Sequence, residues 1–251
     1  MLEMGVHQGC GLQRMALEAA PRVMALASHG HEHDELPLLW SLCATLDELG
    51  YSVAVLDASA AESDANPGLL QLLDDSAWRG DEEDAPWSWS VIPAALGLER
   101  LCVRPSAPGL ALAPLGGLLE GFGVIVIYAG AEVLSRLLPD SGVSPLLTVS
   151  ARKMSAVTAY QALKQMLLNA GLRPTIATWA GPSGPESALG CPPPVHKLQE
   201  CSMNFLDYRP DSLAVRAPQA GHDSSDDMHR LALRLLENAM PLPRHLYGGS
   251  H

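Results

Sequence analysis

Basic residues are scarce in this chain. Its 251 residues include only 16 Lys and Arg against 28 Asp and Glu, a formal charge of −12 and a pI near 5.1. Nucleic acid and anionic lipid are both held by clustered Lys and Arg, so this balance argues against either as the main partner. Charged residues of both signs make up only 18%, below the usual quarter, while apolar residues reach 47%. A disordered chain is thereby excluded, and a sizeable core is expected at this length. No CxxC pair occurs among the five cysteines, Cys10, Cys43, Cys102, Cys191 and Cys201. No basic and then apolar leader follows Met1. Reduced thiols in a cytoplasm are expected. No Ser/His/Asp or Cys/His set stands out as a nucleophilic site; His196 and Cys201 are close in sequence only. The longest apolar stretch, residues 110–131, is broken by Pro114, Gly116, Gly117, Glu120, Gly121 and Gly123. A spanning helix needs about 20 apolar residues in one bonded run, so a helix followed by a buried strand explains the stretch better.

What remains is a pattern of short apolar runs alternating with helical ones. Residues 23–27 (VMALA), 52–57 (SVAVLD), 123–128 (GVIVIY), 145–149 and 175–179 read as buried strands. Residues 36–49 read as a helix, with Leu39, Leu42, Cys43, Leu46 and Leu49 on one face. Pro37 is tolerated in a first turn, which puts the helix start near Asp34 or Glu35. Residues 67–73, 110–120, 132–138 and 226–239 are also expected to be helical. Residues 151–170 form a long helix with Val157, Tyr160, Leu163 and Leu167 on one face. Residues 99–104 are expected to be a strand, residues 74–90 an acidic loop with tryptophans, and residues 213–216 an edge strand. Apolar strands alternating with helices predict an α/β fold: a mostly parallel sheet with helices on both faces. One domain over residues 21–251 is expected, with a partner-binding segment at 1–20, a flexible loop at 181–194 and a last helix at 225–240.

Three segments together resemble MinD/ParA-type P-loop ATPases and, within them, the flagellar-number regulators FlhG and FleN. His7-Gln8-Gly9-Cys10-Gly11-Leu12-Gln13-Arg14 looks like that group's N-terminal Asp-Gln-Ala-x-Gly-Leu-Arg motif. Residues 38–58 look like its first helix and second strand. Residues 155–164 (SAVTAYQALK) look like its Ser-Leu-Thr-Asp-Ala-Tyr-x-x-Ile-Lys helix. The resemblance spans roughly residues 7–180. It implies a P-loop NTPase fold, an ATP and magnesium cofactor, dimerisation driven by nucleotide, and a signal-recognition-type flagellar GTPase as partner. In that partner's activation Gln8, Leu12 and Arg14 match the contacting residues. A glutamine there orients the water that attacks a γ-phosphate.

The departures from the family lie in its chemistry. A phosphate loop ends Gly-Lys-Ser/Thr; here the corresponding stretch is Ser28-His29-Gly30-His31-Glu32-His33-Asp34-Glu35. One glycine remains and both signature lysines are missing. Like charges about 4 Å apart repel by about 4 kcal/mol at an effective dielectric near 20, so carboxylates in this loop oppose a triphosphate. Those carboxylates are expected to take the phosphate's place at the helix N-terminus, where anions are stabilised. The Asp-x-Asp after the second strand is Asp57-Ala58-Ser59, and Tyr128 stands where a magnesium-side Asp belongs. Ser28, Gly30 and Asp57 are therefore read as a vestigial nucleotide site, with no catalytic residues and with ATP and magnesium lost.

Lesser features carry competing readings. His29, His31 and His33 alternate, and in an extended loop they would project to one side as metal ligands; no fourth ligand is evident, and no metal is expected. The run Asp81-Glu82-Glu83-Asp84 beside Trp87 and Trp89 is a solvated loop or a contact patch. The last helix carries Met228, Leu231, Leu235 and Ala239 on one stripe; its mixed charge makes membrane contact weak at most. The reading is a non-catalytic, cytoplasmic regulator, monomeric without nucleotide. A hydrolase with an altered loop and a metal-binding module are the alternatives.

Overall fold

The computed structural model describes residues 20–74, 89–103, 110–150, 152, 154–180, 193–216 and 226–242. Its centre is a mixed sheet of β1 (Arg22–Ser28), β2 (Val53–Asp57), β3 (Trp89–Pro93), β4 (Val124–Gly130), β5 (Leu146–Val149), β6 (Thr175–Ala180), β7 (Ser212–Arg216) and β8 (Met240–Pro241). The order is β3-β2-β4-β1-β5-β6-β7, all parallel, and β8 pairs antiparallel with the start of β1. Parallel neighbours require crossovers, which the helices supply: α1 (Glu32–Glu48), α2 (Leu69–Asp74), α3 (Ala95–Val103), α4 (Ala113–Leu118), α5 (Ala131–Leu137), α6 (Ser155–Ala170), α7 (Pro193–Leu206) and α8 (Asp226–Glu237).

Strand residues alternate between two cores because successive side chains leave a strand on opposite faces. Val23, Ala25 and Ala27 of β1 join Leu98, Leu134 and Leu163 on one side. Met24 and Leu26 join Leu39, Leu42 and Leu46 of α1 and Leu231 and Leu235 of α8 on the other. The stripe expected on the last helix is therefore inside the domain. Among the described residues, no helix is long and apolar enough to cross a membrane.

Several expectations need correction. Residues 99–104 are not a strand: residues up to Val103 belong to α3, where Leu98 and Leu101 are buried one turn apart. The third strand is Trp89–Pro93, at the sheet edge beside β2, within a stretch expected to be partly loop. The helix α7 was not foreseen; Pro193 begins it, and residues 181–192 of the expected loop lie outside the described residues. α6 buries Ala159, Leu163, Met166 and Ala170, whereas Val157 faces solvent. α1 begins at Glu32, ahead of the start that Pro37 suggested; a side chain of its own first turns holds that start in place.

Candidate functional site

The chain leaves β1 for β2 on one side and β4 for β5 on the other. The carboxyl ends of β1 and β4 thus form the switch point at which open α/β sheets place ligands. Register sets Leu26 beside Tyr128 and Ser28 beside Gly130. Past Ser28 the chain turns through Gly30, whose φ of +88° suits a residue without a Cβ, and enters α1.

His31 is the N-cap of α1 and contributes no side-chain cap. The backbone N–H groups opening a helix need acceptors, and Glu35 supplies them. Its Oε1 accepts from the backbone N–H of His29 and of His31, each at 3.1 Å. Its Oε2 accepts from the Tyr128 hydroxyl at 2.7 Å. The arrangement is a capping box with its carboxylate one residue further along the helix than usual. Glu35 is completely buried and Tyr128 nearly so. Burial, joined by the adjacent Glu35 and Glu32, pushes the Tyr128 phenol well above its ordinary pKa, against a partial pull from the Ser28 hydroxyl. Tyr128 is thus a fixed donor.

His29 completes the network. Its Nε2 lies 2.8 Å from the Thr148 carbonyl oxygen, which only accepts, so Nε2 carries the proton. Its Nδ1 lies 2.8 Å from the Thr158 hydroxyl, and Nε2 is 3.4 Å from Glu35 Oε1. Burial lowers the His29 pKa below 6.5, and His31 adds to that; the Glu35 carboxylate and the Thr148 carbonyl pull partly back. The ring is neutral near pH 7, with Nδ1 accepting from Thr158. A single loop is in this way tied to α1, β4, β5 and α6.

The three histidines do not converge. Both His29 ring nitrogens are used within the protein, His31 meets it edge-on at 5.2 Å between centroids, and His33 is exposed in the first turn of α1. The extended loop needed to align them is replaced by helix from Glu32. Among the described residues, no group of three His, Cys, Asp or Glu is placed to hold a metal.

Cations are sparse here as well. From Ser28 to Asp74 the sequence has no Lys or Arg. Arg152, beyond β5, reaches the loop, and its Nε stands 3.1 Å from Asp34 Oδ2. Asp57 ends β2 but turns its carboxylate onto its own loop: Oδ1 accepts from the Ser59 N–H at 2.8 Å and from the Ser59 hydroxyl at 2.7 Å. A second buried carboxylate, Glu62, fills the next helix starts. It accepts from the backbone N–H of Leu70, Leu96 and Gly97, at 3.2, 2.8 and 2.8 Å.

The structure thus brings Ser28, His29 and Gly30 together with Glu35 and Tyr128, and leaves Asp57 engaged in its own turn. Gln8, Leu12 and Arg14 lie outside the described residues. Sequence reading named Tyr128 only as a replaced Asp and Glu35 only as one of several acids; it missed Thr148, Thr158 and Glu62. The signal for Glu35 was its position, four residues after the N-cap and within reach of it.

No protein-family model matches this chain, and no curated protein matches it by sequence. Solved structures do match. The MinC:MinD cell division protein complex of Aquifex aeolicus is similar with a TM-score of 0.55 at 13% identity, covering 88% of this chain and 98% of that one. Cobyrinic acid a,c-diamide synthase of Mycobacterium smegmatis gives 0.53 at 18% identity, covering 92% and 96%. The MinD cell division protein of Aquifex aeolicus gives 0.50 at 14% identity, covering 88% and 99%. At such identities the likeness establishes the fold, that of the MinD/ParA-type P-loop NTPases.

Proposed function

We propose that this chain is a non-catalytic regulator on a MinD/ParA-type fold, whose phosphate cradle is filled by its own Glu35. The supporting observation is the pair of 3.1 Å hydrogen bonds from the His29 and His31 amides to that carboxylate. A phosphate loop offers such amides to its ligand; here they are already satisfied, and by an anion. The residues present do not fit a magnesium-bound triphosphate. Among the described residues no lysine is paired with the loop, Asp34 adds negative charge, and Arg152 is already paired with it. Binding polyphosphate would mean displacing a buried carboxylate from three hydrogen bonds, each charge-assisted and worth about 1.5–3 kcal/mol.

With the nucleotide gone, the activity we infer is contact with another protein. The resemblance of residues 7–14 points to a signal-recognition-type GTPase in flagellar assembly, with Gln8, Leu12 and Arg14 as the contacting residues. The test has two arms. Calorimetric titration with a non-hydrolysable ATP analogue and magnesium is expected to give no heat of binding; tight, magnesium-dependent binding would overturn the pseudoenzyme reading. Gln8→Ala is expected to lower the turnover of a co-purified GTPase; unchanged turnover would count against the partner assignment and leave the Glu35 argument standing.

A further inference from the structure

We propose that His29 and Thr158 form a proton-operated hydrogen-bond switch between the loop after β1 and the first turn of α6. It rests on the Glu35 contact described above and is independent of whether the chain binds nucleotide.

The switch is built from atoms that have two ways to pair. The His29 side chain is 3% exposed, so its ring nitrogens depend on partners within the protein. Nε2 has a fixed partner. The Thr148 carbonyl oxygen at 2.8 Å only accepts, so Nε2 donates whatever the charge of the ring. Nδ1 has an adaptable one, because the Thr158 hydroxyl 2.8 Å away both donates and accepts. The same hydroxyl oxygen lies 3.3 Å from the Met154 carbonyl oxygen and 3.2 Å from that of Ser155. With the ring neutral, Thr158 donates its one proton to Nδ1. With the ring protonated, Nδ1 donates to Thr158, and the hydroxyl proton turns to a carbonyl of the first turn of α6. Both states give each buried N–H an acceptor, and the change between them needs only the rotation of a hydroxyl.

The surroundings set where the switch turns. From α1, Glu35 Oε1 stands 3.4 Å from Nε2, and Asp34 is engaged with Arg152. From the loop, the His31 ring meets His29 edge-on at 5.2 Å. From β4, the Tyr128 hydroxyl bonds the other oxygen of Glu35. β5 and α6 present neutral groups, the Thr148 carbonyl and the Thr158 hydroxyl. Burial favours the neutral ring and outweighs Glu35 and the Thr148 carbonyl, which favour the cation; His31 sides with burial. The ring therefore takes its proton below pH 6.5. Above that change the Glu35–His29 pair carries one negative charge, and below it none. Acid thus neutralises the cradle with Glu35 in place and moves a hydrogen bond from the loop to α6.

Nitrogen-15 spectra of the imidazoles in the full chain, recorded against pH without nucleotide, read both the tautomer and the titration. His29→Gln identifies the signal among the nine histidines. The Nε2–H tautomer is expected above the change, with a midpoint below 6.5. The backbone amide shifts of Val157, Thr158 and Ala159 are expected to follow the same midpoint. Thr158→Val keeps the shape of the side chain and removes the group that accepts from Nδ1–H. An unmet N–H on a cation costs more than an unmet lone pair on the neutral ring, so the midpoint is expected to fall by about one pH unit or more. The α6 amides are then expected to lose their response. Thr158→Ser is expected to restore both, and His33→Gln, at an exposed position, to change neither. A Thr158 that merely packs would lower stability and leave the midpoint where it is. An Nδ1–H tautomer, a midpoint at or above 6.5, α6 amides that do not follow it, or a Thr158→Val variant that titrates like the parent would overturn the proposal. Each of these failures leaves the calorimetric test of nucleotide binding untouched.

Discussion

Glu35 is the side chain on which the proposed loss of phosphate binding turns. Its charge is tolerated at zero exposure because two amides, a phenol and a neutral imidazole surround it. Removing it leaves those donors buried without acceptors, each at about 1–3 kcal/mol. Glu35→Ala is expected to lower stability by about 3 kcal/mol, measured by urea denaturation. Glu35→Gln is expected to lose less, since the amide oxygen still accepts from the loop and its NH₂ can donate to the Tyr128 oxygen. His29 gives a separate, pH-dependent signature. Its folded pKa lies below 6.5 because of burial, so the unfolded chain takes up a proton first as pH falls. Its contribution is full above about pH 6.5 and is lost below it until the folded pKa is reached, at no more than about 1.4 kcal/mol per pH unit. His29→Gln is expected to flatten the fall in the urea midpoint between about pH 7.5 and 5.5; an unchanged slope would show that the ring does not titrate as described. At this scale the acids and imidazoles of the loop were legible in the sequence, and Tyr128 only as an expected replacement for an Asp. The sequence did not reveal that Tyr128 and Glu35 meet, because a sequence separation of 93 is closed up only by the β1–β4 pairing.

Among the elements, those with strong apolar periodicity were readable and those defined by tertiary partners were not. β1, β2, β4 and α1 announce themselves by unbroken runs or a one-sided stripe. α3 did not: Glu99, Arg100 and Arg104 sit among apolar residues in a pattern that suits either period, and its start is held by Glu62 from a distant loop. β3 is a half-exposed edge strand, with little hydrophobic signature to read. The packing around Glu62 is close. A Cβ on Gly68 would stand 2.1 Å from the Pro93 carbonyl oxygen, and a backbone atom does not step aside. Gly68→Ala is therefore expected to cost about 1–3 kcal/mol or more; a thermal midpoint equal to the parent's would contradict this packing. α8 is an integral part of the fold by the same logic. Leu231→Ala, at a fully buried position in the core shared with α1, is expected to cost about 2–5 kcal/mol by the same denaturation measurement.

For the molecule as a whole, the alternation of strand and helix already implied a parallel sheet with two covered faces, and the structure has it. Strand order was beyond reach of pattern alone, since any of several orders buries the same runs. It is the order that puts the loop after β1 beside β4 and so brings Tyr128 onto the carboxylate that caps the loop amides. The proposed pseudo-ATPase character rests on that contact. Its most direct measurement is a crystal structure of the chain grown with a large excess of magnesium and a non-hydrolysable ATP analogue. The account predicts the Glu35 carboxylate still bonded to the His29 and His31 amides, at the 3.1 Å found here, with no phosphate density against Gly30. A phosphate group seated on those amides, with Glu35 swung away, would contradict it.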